Sequence, residues 1–138
     1  SRKFDVFQTD PLETVAGFRA FVGRGIATLK GDRCAGYFYL TLVDSSLDKW
    51  RDIQRILVCE FNVVITDIIP DFSEYVNWGY FEKMHGWQIL PENLRTKPKD
   101  GWYVSTLFRI ETLRGYKGFT EEVPEAENIY EDEELASA

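Results

Sequence analysis

The run over residues 102–113, WYVSTLFRIETL, constrains the fold of this chain more than any other stretch. Trp102, Val104, Thr106, Phe108 and Ile110 fall on one parity, and Tyr103, Ser105, Leu107, Arg109 and Glu111 on the other. A period of two fits a half-buried strand and does not fit a helix. A single strand is not stable alone, so the rest of the chain has to supply a sheet.

Candidate neighbours are legible. Phe4-Asp5-Val6-Phe7 alternates and reads as a short strand. Val63-Val64-Ile65-Thr66 is β-branched and reads as a buried one. Between them lie two helical patterns. In the first, Asp10 suits an N-cap, Pro11 the first helical position and Glu13 the carboxylate of a capping box. Leu12, Val15, Phe18 and Val22 then share a face. Two glycines as close as Gly23 and Gly25 cost a helix about 1 kcal/mol each. That places the helix end near Val22, with residues 26–30 a strand, GDRCAG a turn and GYFYLTLV its hairpin partner. The alternative is a helix running to Leu29, with Ala16, Ala20, Gly23 and Ala27 as a small-residue stripe. Asp44, Ser45 and Ser46 offer an N-cap for the second helix, whose apolar face is Leu47, Trp50, Ile53, Leu57 and Phe61, with Asn62 as its stop.

The resulting order, β-α-β-β-α-β, predicts an α+β fold of the ferredoxin-like (split βαβ) kind, an antiparallel sheet with helices on one face. An extension follows: a helix starting at Asp71 and Glu74 that runs through Tyr75, Val76, Tyr80 and Met84 to Gly86, then a polar loop, then the long strand.

The charge divides the chain. All sixteen Lys and Arg precede residue 121, alongside fifteen acids, so that part is nearly neutral. The remaining eight carboxylates lie in residues 121–138. This predicts one globular domain over 1–120 and an acidic tail over 121–138, either a solubilising fringe or an interaction segment with Ile129, Tyr130 and Leu135 as apolar anchors. With 44% hydrophobic and 15% aromatic residues, a disordered chain is excluded. No run of eighteen apolar residues and no leader-like start is present, so the expectation is a cytoplasmic protein with no membrane partner. Cys34 and Cys59 have no CxxC spacing and no nearby His, which argues for buried thiols and against a metal site.

Chemistry-bearing motifs are sparse. No G-x-S-x-G, phosphate loop, HExxH or dinucleotide fingerprint occurs, and no cofactor is expected. Residues 35–42, AGYFYLTL, resemble the RNP1 element of RNA-recognition motifs through Gly36, Tyr37, Tyr39 and Leu40. Ala35 replaces the basic first position, although Arg33 is close, and Phe38 replaces the small fourth one. The resemblance implies that Tyr37 and Tyr39, with Phe7, stack on the bases of a single-stranded nucleic acid. The only histidine, His85, has Glu82, Glu74 and Asp71 upstream and could serve a small enzyme as acid or base. Arg95, Lys97 and Lys99 form a basic loop, and Trp78 and Trp87 belong to an aromatic cluster suited to a protein interface. The reading that follows is a non-enzymatic regulatory or assembly protein, a class with phage accessory members, that binds a partner protein. Single-stranded nucleic acid is its alternative ligand, and the oligomeric state is left open.

Overall fold

The computed structural model describes residues 3–76, 80–83, 85–97, 99–124 and 128–132. The elements, in order, are β1 (Val6–Thr9), α1 (Val15–Thr28), β2 (Ala35–Leu40), α2 (Leu47–Arg55), β3 (Val63–Glu74), α3 (His85–Ile89) and β4 (Val104–Thr112). The strands make one four-stranded mixed sheet in the order β1-β2-β4-β3. β1 and β2 are parallel, and β4 lies antiparallel to both β2 and β3. The molecule is therefore a small α+β domain, but its sheet is not the antiparallel one that the ferredoxin-like reading required. Among the described residues, no helix is long and apolar enough to cross a membrane.

The departure begins at α1, which continues through Gly23 and Gly25 to Thr28. Parallel pairing needs a long crossover, and the unbroken helix provides one where a hairpin had been expected. The glycines are packing sites rather than a helix stop. A Cβ at Gly23 would lie 2.5 Å from that of Phe119 and 2.7 Å from the Phe61 ring. One at Gly25 would lie 2.5 Å from the Phe7 ring. Gly118 crosses α1 so closely that a Cβ there would collide with the Gly23 carbonyl and the Ala27 amide, and the Phe119 N–H donates to the Gly23 carbonyl at 2.9 Å. The small-residue stripe is the groove for this crossing.

The core lies between the sheet and the pair α1 and α2. Phe18 of α1 meets the Phe38 ring edge-on at 5.1 Å, Phe38 stacks on Phe108 at 5.2 Å, and Trp50 of α2 meets Phe108 edge-on at 5.4 Å. Ser46 caps α2 by accepting from the Lys49 N–H, and Leu47, expected on its apolar face, is exposed. A π-helical turn (Ile56–Glu60) follows, carrying Ile56 and Leu57 inward and Val58, Cys59 and Glu60 outward. Cys59 is thus an exposed thiol, contrary to the expectation of two buried ones, and Cys34 is buried. Asn62, with φ of 54°, ends the element. Because β4 has neighbours on both sides, Ser105 and Leu107 are buried along with Phe108 and Ile110 on the other face.

No helix starts at Asp71. The chain stays in β3, and Asp71 takes φ of 51° inside a register shift between Ile69 and Ser73. Asp adopts this left-handed conformation more readily than most residues, and bulges use it. The Asp-x-x-Glu pattern here marks a bulge rather than a cap.

On helix propensity alone, Gly23→Ala or Gly25→Ala should stabilise the chain by about 1 kcal/mol. The packing predicts the opposite sign. Each should destabilise by ~1–3 kcal/mol through overpacking, read as a lowered denaturation midpoint with an unchanged slope. A gain in stability for Gly25→Ala would mean that the Phe7 ring is not held against α1.

Candidate functional site

The carboxyl ends of β1, β2 and β3 and the amino end of β4 meet at one edge of the sheet, since Leu40 pairs with Thr106 and Glu74 with Val104. Ligands of open sheets bind beyond the carboxyl ends of parallel strands. Each strand here is followed at that edge by a chemically useful residue: Asp10 after β1, Asp44 after β2 and Tyr75 after β3, with Tyr103 just before β4.

Asp10 and Glu13 do not form the expected capping box. Thr14 caps α1, its Oγ1 accepting from the Gly17 N–H at 2.9 Å. The two carboxylates turn to other partners. Tyr75 donates its hydroxyl to Asp10 Oδ1 at 2.8 Å, and the Thr41 N–H donates to Glu13 Oε1 at 2.8 Å. Tyr103 donates to Asp44 Oδ2 at 2.5 Å. Among the described residues, Glu13 Oε2 and Asp44 Oδ1 are buried with no hydrogen-bond partner.

The electrostatics follow from this geometry. Burial is the main reason that the Glu13 carboxyl is pushed up to about 9; repulsion from Asp44 and Asp10 adds to the shift, while the Thr41 hydrogen bond and the Lys49 charge oppose it. Burial also raises Asp44, against the Tyr103 hydrogen bond and Lys49. Asp10 stands at the exposed rim, where the surrounding protein still removes enough water to raise its carboxyl against the Tyr75 bond. Tyr75 and Tyr103 are both raised, first by burial and then by the carboxylates that they serve, so they stay neutral donors. The described residues contain no group of three acidic, His or Cys side chains that could hold a metal ion.

Next to the carboxylates is an aromatic cleft of about 460 Å³ lined by Tyr75, Trp102 and Tyr103 with Glu74 and Lys99. The Tyr75 and Tyr103 rings are 4.8 Å apart, and Trp102 stacks on Tyr103 at 5.2 Å. A carboxylate cluster beside π faces suits an organic cation, because both attract ammonium groups.

The residues singled out in the sequence fall elsewhere, apart from Lys99 in the cleft. Phe7 pairs in register with Gly36 and packs against Gly25, on the helix-covered face. Tyr37 and Tyr39 lie on the opposite face, so the three share no stacking platform. Arg109 sits 6.0 Å over the Tyr37 ring, and Tyr39 is covered by Gln8, which donates to its hydroxyl, and by Phe72 at 6.2 Å. Arg33 is an exposed turn residue with φ of 59°. Arg95 donates to the carbonyls of Leu90 and Gln88 at 2.9 and 2.8 Å, Lys97 pairs with Glu82 at 3.4 Å, and Trp87 is half-buried. Ile129 is half-buried and Tyr130 exposed. Trp78, Leu135 and the side chain of His85 lie outside the described residues. The residues that sequence reasoning missed as a site, Asp10, Glu13 and Asp44, were read as helix caps. An acid within three residues of the end of each of two strand patterns was the available signal, and it needed the parallel pairing to be recognised.

Comparison with known proteins defines the class. Residues 1–137 match the branched-chain polyamine synthase A C-terminal domain, and the chain belongs to that family. It is 61% identical over 135 residues to the N(4)-bis(aminopropyl)spermidine synthase of Thermococcus kodakarensis, covering 98% of this chain and 38% of that protein. It is 56% identical over 137 residues to the synthase of the same name from Methanocaldococcus jannaschii, covering 99% of this chain and 39% of that one. A crystal structure of the branched-chain polyamine synthase C9 mutein from Thermus thermophilus, in complex with N4-aminopropylspermidine and 5′-methylthioadenosine, superposes with a TM-score of 0.83 at 42% identity, covering 99% of this chain and 38% of that one. The chain thus spans less than two-fifths of the length of these relatives. They are enzymes, which overturns the expectation of a non-enzymatic regulatory, assembly or nucleic-acid-binding factor.

Glu13 generates a pH prediction. Its carboxyl is held protonated in the folded chain, whereas it ionises near 4.5 when solvated. The stability it contributes is complete below about 4.5 and is lost as pH rises toward about 9. Glu13→Gln should therefore flatten the fall in unfolding temperature between about pH 5 and about pH 8.5. An unchanged slope in that variant would show that Glu13 ionises normally.

Proposed function

We propose that this chain forms the polyamine-recognising end of a branched-chain polyamine synthase. The observation that carries the reading is the trio Asp10, Glu13 and Asp44, with two buried and unpartnered carboxylate oxygens, at the carboxyl edge of the sheet beside the aromatic cleft. A polyamine presents ammonium groups along a flexible apolar chain. Carboxylates take the ammonium groups and aromatic walls take the methylenes between them.

The relatives' name and the pair of molecules bound in the Thermus structure define the chemistry that such a site would serve. 5′-Methylthioadenosine is a thioether. It is the leaving group expected when an acceptor amine attacks the aminopropyl carbon of the corresponding sulfonium: the new C–N bond forms, the C–S bond breaks, and sulfur keeps the electron pair. An attacking nitrogen has to be unprotonated, while the remaining nitrogens of the acceptor stay cationic. Asp10, Glu13 and Asp44 hold those cations in register, and the hydroxyls of Tyr75 and Tyr103 keep two of the carboxylates oriented. An arriving ammonium also stabilises ionised Glu13, so binding releases the proton that burial holds there.

Titration of the intact protein with spermidine tests this. Asp44→Asn and Glu13→Gln should each weaken binding by ~1.5–3 kcal/mol, the worth of a charged hydrogen bond. Calorimetry in buffers of different ionisation enthalpy should show proton release on binding that Glu13→Gln abolishes. Equal affinity in both variants and the parent would remove the carboxylate site from polyamine recognition.

A further inference from the structure

The aromatic cleft beside the carboxylate trio has a carboxylate of its own. Glu74, the last residue of β3, lines it together with Tyr75, Trp102 and Tyr103. Its side chain reaches solvent but is held in place, because Glu74 Oε1 accepts the Gly101 N–H at 2.9 Å. Gly101 takes φ of 76°, a left-handed conformation that suits glycine, and this turn aims its amide at Glu74. The frame behind the contact is fixed by the sheet: Glu74 pairs with Val104, and the Tyr75 N–H donates to the Tyr103 carbonyl at 2.8 Å. The Gly101 bond uses one of the two carboxylate oxygens. The cleft carries Glu74 and Asp100 against Lys99, so its formal charge is negative.

Tyr75 joins this carboxylate to the trio. Its hydroxyl donates to Asp10 Oδ1 at 2.8 Å, while its backbone follows Glu74 directly. A polyamine nitrogen at Asp10 therefore has an aromatic face leading from it toward a second anion. We infer that Glu74 is a specificity-determining residue that takes a terminal ammonium of the polyamine, with the intervening methylenes lying on the rings of Tyr75, Trp102 and Tyr103. The inference rests on the polyamine reading above and adds a subsite to it. Fixed anions joined by an apolar track select for the spacing of charge in a ligand. A ligand with an ammonium at each end of the track satisfies both anions, and the rings attract the cations as well. A ligand without the outer charge leaves Glu74 to water and gains nothing from it.

The test is a titration of the intact protein with spermidine and with spermidine acetylated on both terminal nitrogens, which keeps the chain and loses the terminal charges. Glu74→Gln is the informative variant, because the glutamine carbonyl still accepts the Gly101 N–H and only the charge is removed. Glu92→Gln removes the same charge from an exposed turn outside the cleft. In Glu74→Gln the affinity for spermidine should fall about tenfold, the scale of a lost charged hydrogen bond, while that for the diacetylated ligand changes by less than about twofold. In Glu92→Gln both affinities should stay within about twofold of the parent. Undiminished spermidine affinity in Glu74→Gln overturns the inference. An equal loss for both ligands also overturns it, since that is the mark of a disturbed cleft, as does an equal loss in Glu92→Gln, the mark of a general field. If the parent protein does not bind spermidine, the polyamine reading fails and the subsite falls with it. If Asp44→Asn weakens spermidine binding and Glu74→Gln does not, the carboxylate trio stands and the subsite alone is lost.

Discussion

The ring of Phe7 determines where the site can be. It fills the space left by two glycines, Gly25 on α1 and Gly36 on β2, and a Cβ at either would run into it. One aromatic side chain from β1 thereby locks the crossover helix to both strands of the parallel pair. With that pair fixed, the ends of β1 and β2 point the same way, and the acids that follow them are brought to a common edge. If β2 were reversed, as in a hairpin, Asp10 and Asp44 would lie at opposite ends of the sheet. The apolar core and the polar site are therefore consequences of one packing event, and interiors packed at crystal-like density leave little slack for another arrangement.

The energetics of the site oppose those of the core. Burying carboxylates with unpartnered oxygens is unfavourable, and the structure limits the cost through tyrosine hydroxyls, one backbone amide and a single buried lysine. Burial beside the Tyr75, Trp102 and Tyr103 rings puts Glu13 and Asp44 where a charge interacts more strongly than it would in bulk water.

Much of the fold was legible in the sequence, because the relevant signals are local. The alternation over residues 102–113 became β4, the β-branched run at Val63 opened β3, and the periodicity from Leu47 became α2. What failed did so for physical reasons. Gly23 and Gly25 carry a strong local preference against helix, and tertiary contacts with Phe119, Phe61 and Phe7 outweighed it. Asp10 and Glu13 have the spacing of a capping box, but a carboxylate that could cap a helix can equally face a ligand, and only the contacts with Tyr75 and Thr41 decide between the two. Asp71 and Glu74 repeated that spacing inside a strand. The tyrosine pair at 37 and 39 was placed on the correct strand, but its proposed third member was assigned to the wrong face, because the parity of β1 relative to β2 depends on a register that no local pattern encodes.

The irregularity at Asp71 has a further consequence. β3 is the outermost strand on its side of the sheet, and it exposes Ile68, Ile69 and Phe72. A flat strand with those side chains and a free row of amides would recruit a matching strand from another molecule and start a fibril. Pro70 has no amide hydrogen to offer, the register shifts between Ile65 and Asp67 and between Ile69 and Ser73 break the ladder twice, and the left-handed Asp71 lies within the second of them. Among the described residues, the exposed apolar edge of β3 is thereby made a poor template.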